Sequence, residues 1–196
     1  MREDELAAPV VTHFRASHDA VTVALEEPYD HYGNRGQLDV YVRVRDSPRV
    51  DHLIELKADA AVRRATGANE VLRQFRRAEQ YFYPGSDRGV RRRLGRTEPG
   101  VRLLLLFAPT VACVEHVAEH ATLYEAVEPE TRVEAVDAAR KVAFLVGLSE
   151  APAGGVRFLS VNDGAGLAST AFRRAVPDDS RLADALAAAD GVADGS

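Results

Sequence analysis

Three side chains stand out for what they can do together: Asp39, Glu55 and Lys57. Lys57 is one of two lysines, the other being Lys141, against 23 arginines. An ammonium kept against such a bias suggests a task for a compact point charge rather than a planar fork. Glu55 and Lys57 lie two apart in the apolar run Leu53-Ile54-Glu55-Leu56-Lys57. In a strand both project from one face, roughly 6–7 Å apart. Asp39 comes sixteen positions before Glu55, in Gly36-Gln37-Leu38-Asp39-Val40-Tyr41-Val42. If 38–44 and 52–57 pair as a hairpin turning near Pro48, residue 39 is expected opposite 57 and residue 41 opposite 55. Asp39 then shares the face of Glu55 and Lys57.

Two carboxylates without a matching pair of cations suit a hard divalent ion such as Mg²⁺, with water and phosphate oxygens completing its shell. Such an ion polarises a phosphodiester and lowers the pKa of bound water. The lysine positions or helps deprotonate that water and offsets charge building on phosphorus. The other reading is an ordinary cross-strand salt bridge on an exposed sheet face. Gly36 ahead of Asp39, the apolar strand around Glu55, the basic helix that follows and the scarcity of lysine favour the metal.

The surrounding elements must hold these residues in place. Residues 3–16 carry Leu6, Val10 and Phe14 at helical spacing. Strands are expected at 20–25, 38–44 and 52–57, with a loop rich in Pro, Asp, Asn and Gly at 26–35. A helix follows over 67–83, then an apolar strand at 101–107 suited to a sheet centre. Beyond it come a helix over 113–127, short strands at 142–146 and 156–161, and a closing helix over 180–189 with Ser180 as its N-cap. The order describes an α/β domain with a mixed sheet flanked by helices. Residues 1–110 form its core, 111–190 an α+β extension of the same domain, and 191–196 a flexible tail.

The net charge of −5 hides strong segregation. Residues 1–56 sum to −5, residues 57–96 to +7 and residues 97–196 to −7. A salt-adapted or GC-rich genome accounts equally well for the composition, but not for the clustering. The positive block includes Arg73, Arg76 and Arg77 on the expected helix, then Arg88, Arg91, Arg92, Arg93 and Arg96 within nine residues. Arginine forks suit phosphate oxygens, so these residues are candidates for a nucleic-acid surface. A solvated charge run is the alternative. No run approaches the roughly 18–20 apolar residues of a membrane span. An acidic N-terminus and a lone Cys113 fit a reducing, cytoplasmic setting.

Gly36-Gln37-Leu38-Asp39 followed by Ile54-Glu55-Leu56-Lys57, within an αβββαβ order, resembles the PD-(D/E)XK nuclease superfamily of restriction-endonuclease-like fold. Archaeal Holliday-junction resolvases and RecB-like nucleases are nearest in style. The resemblance spans residues 3–108. It implies that Asp39 and Glu55 are metal ligands, that Leu56 lends its backbone carbonyl to the ion, and that Lys57 is the catalytic lysine. It also implies an acid on the first helix, Glu3 in an E-x-x-L pattern ending at Leu6, with Glu5 as the competitor, and Gln74 on the helix after the lysine. Leu38 stands where a proline is usual. Arg77 stands where the RecB-like pattern has tyrosine.

The function implied is a Mg²⁺- or Mn²⁺-dependent endonuclease or exonuclease acting on DNA. A non-catalytic DNA-binding or regulatory protein keeping the fold, and an RNA-directed nuclease, are the alternatives. A homodimer would supply the two sites that duplex cleavage needs, though nothing in the chain itself shows one. His116-Val117-Ala118-Glu119-His120 fits an H-x-x-E-H zinc pattern but lacks a convincing third ligand downstream, and reads as exposed helix polarity. His31 and His52 read as surface histidines, Cys113 as a buried small hydrophobe, and 163–167 as a turn.

Overall fold

The computed structural model describes residues 1–31, 33–46, 49–63, 67–82, 100–125, 140–146, 157–162 and 166–195. Helix α1 (Glu3–Ser17) buries Leu6, Val10 and Phe14, the stripe expected from their spacing. Acidic Glu3, Asp4 and Glu5 fill its first turn, where the helix dipole favours negative charge. Glu5 also accepts the backbone N–H of Arg2 at 2.9 Å, closing a capping bond.

Strands β1 (Val21–His31) and β2 (Asn34–Val44) form a long antiparallel hairpin. The loop expected at 26–35 is therefore mostly strand. Gly33, at φ 83°, takes the turn position, and its amide donates to Asp30 Oδ1 at 2.7 Å. Pro28 is tolerated because β1 lies at the sheet edge, where a missing donor breaks no inner ladder.

Strand β3 (Val50–Lys57) pairs antiparallel with β2 in a register two residues from the expected one. Tyr41 faces Leu53 rather than Glu55, and the last pair is Val40 with Ile54. A slip of two preserves the face on which each side chain emerges, whereas a slip of one reverses it. Asp39 thus keeps the side of Glu55 and Lys57.

Helices α2 (Asp59–Val62) and α3 (Gly67–Phe82) follow, then β4 (Gly100–Phe107), parallel to β3. Next come α4 (Val111–Glu119), α5 (Ala121–Glu125), β5 (Arg140–Val146), β6 (Arg157–Ser160), α6 (Thr170–Ala175) and α7 (Arg181–Ala193). The six strands lie in the order β1-β2-β3-β4-β5-β6, with β4–β5 parallel and the outer pairs antiparallel. This mixed sheet with flanking helices is the α/β, restriction-endonuclease-like architecture anticipated. The two strands beyond residue 110 extend that same sheet. Leu103, Leu105, Leu106 and Phe107 are buried, as a central β4 requires.

Helices cover both faces. Phe14 of α1 meets His52 of β3 at 4.7 Å between ring centroids, on the face opposite Lys57. On the Lys57 face, its β4 partner Phe107 meets Tyr124 of α5 at 5.3 Å. The helix expected over 113–127 starts earlier, capped by Thr110, and is interrupted at His120. Ser180 caps α7 by accepting the Ala183 amide at 3.1 Å, as expected. That helix runs to Ala193, so the expected flexible tail over 191–196 is helical for its first three positions.

Candidate active site

Asp39 occupies a break in two backbone ladders. Pairing of β1 with β2 passes from Leu25↔Val40 to Glu27↔Leu38, skipping Glu26 opposite Asp39. Glu26 has φ 52°, the left-handed region that a non-glycine residue enters at a cost. On the other side, β2–β3 pairing ends one residue short of Asp39. The Leu56 amide that would continue the ladder donates instead to Asp39 Oδ2 at 2.6 Å. The carboxylate has replaced a backbone acceptor, which turns it towards β3.

Glu55 and Lys57 stand at the carboxyl end of β3, where open α/β sheets place their ligand crevices. Lys57 Nζ lies 2.7 Å from Glu55 Oε1. Both are buried, with relative exposures of 4% and 7%, so this is not the surface ion pair of the alternative reading. A charged pair in such a place costs desolvation that a hydrophobic pair would avoid. Its backbone is fixed as well, because the Lys57 carbonyl accepts the Ala108 amide at 2.9 Å.

The three residues line a cleft of about 670 Å³. Glu3 and Arg2 reach it from α1, Tyr29 and Gln37 from the β1–β2 hairpin, and Glu70, Arg73, Gln74 and Arg77 from α3. Glu3 is thus the helix-1 acid brought to the cleft, while Glu5 is taken up by its cap. Of the expected arginines, Arg73 and Arg77 line the cleft, whereas Arg76 is exposed and does not. Arg88, Arg91, Arg92, Arg93 and Arg96 lie outside the described residues.

Glu70 and Tyr29 were not foreseen. Glu70 accepts from Arg73 Nε at 2.8 Å and from Gln74 Nε2 at 3.1 Å. Its place in the spacing Glu70, Arg73, Gln74, Arg77 was a legible helical stripe. Tyr29 had no signal, since its segment read as loop.

Burial pushes the Asp39 carboxyl up to about 7, and the charges of Glu55 and Glu3 add to the effect. Lys57 and the Leu56 amide offset part of it. Burial raises Glu55 too, against the pull of Lys57 and Arg77. Two carboxylates that resist sharing their charge in a desolvated cleft define the centre.

The family model described as PD-(D/E)XK nuclease superfamily domain matches residues 1–190. The chain belongs to the PD-(D/E)XK nuclease superfamily. No curated protein and no solved structure matches it. Members of this superfamily typically use divalent metals, and the residues here fit such an ion. Burial first, and neighbouring negative charge second, raise Asp39 and Glu55, and a divalent cation between them would offset both. In a strand, a residue's N–H and C=O point to the same edge, so the Leu56 carbonyl lies on the side of Asp39. Among the described residues no group of three or more His, Cys, Asp and Glu is close enough to hold a metal by itself. The PD-(D/E)XK ligand set would be two carboxylates and a carbonyl, with waters or phosphate oxygens completing the shell.

The remaining sequence signals are structural. His116 is buried, and its Nε2 lies 2.8 Å from the Tyr124 hydroxyl, so it is not the exposed helix polarity expected. His52 is half-buried against Phe14 rather than a surface residue. Cys113 is fully buried, and burial pushes its thiol up to about 11, as suits a small hydrophobe. No described helix is long and apolar enough to cross a membrane.

Proposed function

We propose that this PD-(D/E)XK protein hydrolyses DNA phosphodiester bonds with the aid of Mg²⁺ or Mn²⁺. The observation that carries the reading is the convergence of Asp39, Glu55 and Lys57 on one wall of the cleft, at the carboxyl end of β3. Asp39, Glu55 and the Leu56 carbonyl would hold the ion. When bound, a divalent metal supplies electrostatic stabilisation of the phosphate and acidifies a coordinated water.

The chain's own groups do the rest. Glu55 holds the Lys57 ammonium in place at 2.7 Å. Lys57 in turn keeps a cation beside the attacked phosphorus and donates to the attacking water or to the phosphate oxygens. The Leu56 N–H fixes the rotamer of Asp39 at 2.6 Å. Glu3 adds negative charge that favours the cation. Gln74, held by Glu70, would orient a water or a phosphate oxygen. Arg73 and Arg77 line the cleft and would contact the strand's phosphates.

The test is a panel of linear duplex, single-stranded and branched DNA together with RNA, each with Mg²⁺ or Mn²⁺. Wild type is compared with Asp39→Ala and Lys57→Ala. Cleavage by wild type alone supports the proposal. Binding without cleavage points to a regulatory protein that keeps the fold, and cleavage of RNA alone points to an RNA-directed nuclease. Equal cleavage by wild type and both variants removes these residues from the mechanism.

A further inference from the structure

We propose that Arg77 is the group that grips a phosphate of the substrate inside the cleft. The inference rests on the nuclease reading above and narrows it to one side chain. Glu70, Arg73, Gln74 and Arg77 follow one another at helical spacing, and all four line the cleft, so they form one polar stripe on α3. The first three are bonded to one another through Glu70. Glu70 pairs with Arg73 Nη2 at 2.6 Å and accepts from Arg73 Nε at 2.8 Å and from Gln74 Nε2 at 3.1 Å.

Arg77 is different. Its Nε is buried and has no hydrogen-bond partner among the described residues. Native proteins rarely leave a buried donor unmatched, least of all on a permanently charged group, so an unmatched one calls for a cause. The carboxylates nearest in effect are already engaged. Glu55 holds Lys57 at 2.7 Å, and Glu70 holds Arg73 and Gln74. Yet Arg77 acts electrostatically on Glu55, Glu70 and Tyr29, which places it among the reacting groups rather than out in solvent. In the bound state a phosphate of the substrate would supply the acceptor, with a small shift of the Arg77 side chain opening its Nε edge to the cleft. A guanidinium edge matches two non-bridging oxygens of a phosphodiester, and the partial desolvation of this one strengthens the contact. Arg73, paired with Glu70, forms the wall beside it, whereas Arg77 makes no ion pair within 4 Å among the described residues.

The experiment compares wild type, Arg77→Gln, Arg77→Lys and the exposed control Arg174→Gln. Binding of a short fluorescein-labelled DNA strand is read by anisotropy in Ca²⁺, and cleavage is read in Mg²⁺ or Mn²⁺. Circular dichroism checks that each variant is folded. Arg77→Gln is expected to lower kcat/KM by about 10²-fold. It should also reduce the slope of log Kd against log salt by about 0.7. Arg77→Lys restores the slope but not the rate, because it keeps the charge and loses the fork. Replacing the phosphates of the strand one at a time by neutral methylphosphonate should find one position that weakens wild type and leaves Arg77→Gln unaffected. If wild type cuts and Arg77→Gln binds and cuts equally well, the Arg77 assignment is overturned and the nuclease reading stands. If wild type binds but does not cut, the nuclease reading falls, and the phosphate scan still decides the contact. If wild type neither binds nor cuts, both are overturned.

Discussion

Tyr29 and Gly36 face each other across the β1–β2 hairpin, and the tyrosine ring fills the space that a side chain on Gly36 would need. A methyl group built there would lie 2.8 Å from Cε2 and nearer still to the hydroxyl end. Gly36 is therefore required for packing, not for backbone freedom. It admits Tyr29 to the cleft wall beside Asp39 and Glu55. Gly36→Ala is expected to displace the ring and to destabilise the protein by about 1–3 kcal/mol, measured by urea denaturation. In a Tyr29→Ala background the same change should cost little. Additive effects of the two substitutions would show that the ring is not what the methyl group meets.

Lys57→Arg separates catalysis from charge pairing. The guanidinium keeps the positive charge next to Glu55 but is larger than the ammonium, which sits buried at 2.7 Å from its partner. Cleavage is expected to fall by at least about 10²-fold while nucleic-acid affinity changes much less. Retention of most of the rate would mean that Lys57 is only a salt-bridge partner.

Asp39 ties stability to pH with a definite sign. Folding raises its carboxyl from 3.8 to about 7. Between those values the folded state binds more protons than the unfolded state, so this residue's contribution to stability falls as pH rises through the window. Asp39→Asn keeps an oxygen for the Leu56 amide and removes the charge. At pH 8 it should be more stable than wild type by on the order of 1–3 kcal/mol, and near pH 3.5 the difference should vanish. Mg²⁺ should raise the Tm of wild type at pH 8 and leave Asp39→Asn nearly unchanged. Parallel wild-type and variant stability curves from pH 3.5 to pH 8 would remove the carboxyl from this linkage.

His52 works in the opposite direction. Burial lowers its folded pKa from 6.5 to about 4, with Arg102, His18 and His13 adding repulsion. Across that interval the unfolded state binds more protons, so stability is lost as pH falls from 6.5 towards 4. Replacing the imidazole by leucine against Phe14 should flatten the acid limb by on the order of 1–3 kcal/mol, seen as a smaller drop in Tm between pH 7 and pH 4. An unchanged acid limb would assign the loss to other groups.

The central triad was legible because strand parity is robust. The expected register missed by two residues, yet Asp39, Glu55 and Lys57 emerged on one face all the same. Tyr29 was lost because Pro28 and its polar neighbours read as loop, whereas an edge strand accommodates them. Glu70 gives no signal of its own, because polar residues on an amphipathic helix look solvent-facing until something is known to stand opposite. Glu3 lines the cleft whereas Glu5 closes a capping bond, a difference set by backbone conformation at Arg2 rather than by composition. Nothing in the 113–127 pattern marks the break at His120, which His116 and Tyr124 bridge with a side-chain contact.

The bond from the Ala108 amide to the Lys57 carbonyl carries a consequence for the order of folding. It belongs to the parallel contact of β3 with β4, which closes only after the whole crossover between residues 58 and 99 has been brought round. Antiparallel β1, β2 and β3 join through local turns, whereas the β3–β4 contact requires a long loop closure and comes later. Until then Lys57 and Glu55 lie at a bare strand edge open to water. A chain emerging from the ribosome therefore carries Asp39, Glu55 and Lys57 unassembled until β4 has left the exit tunnel, so the cleft belongs to the folded protein and not to its precursors.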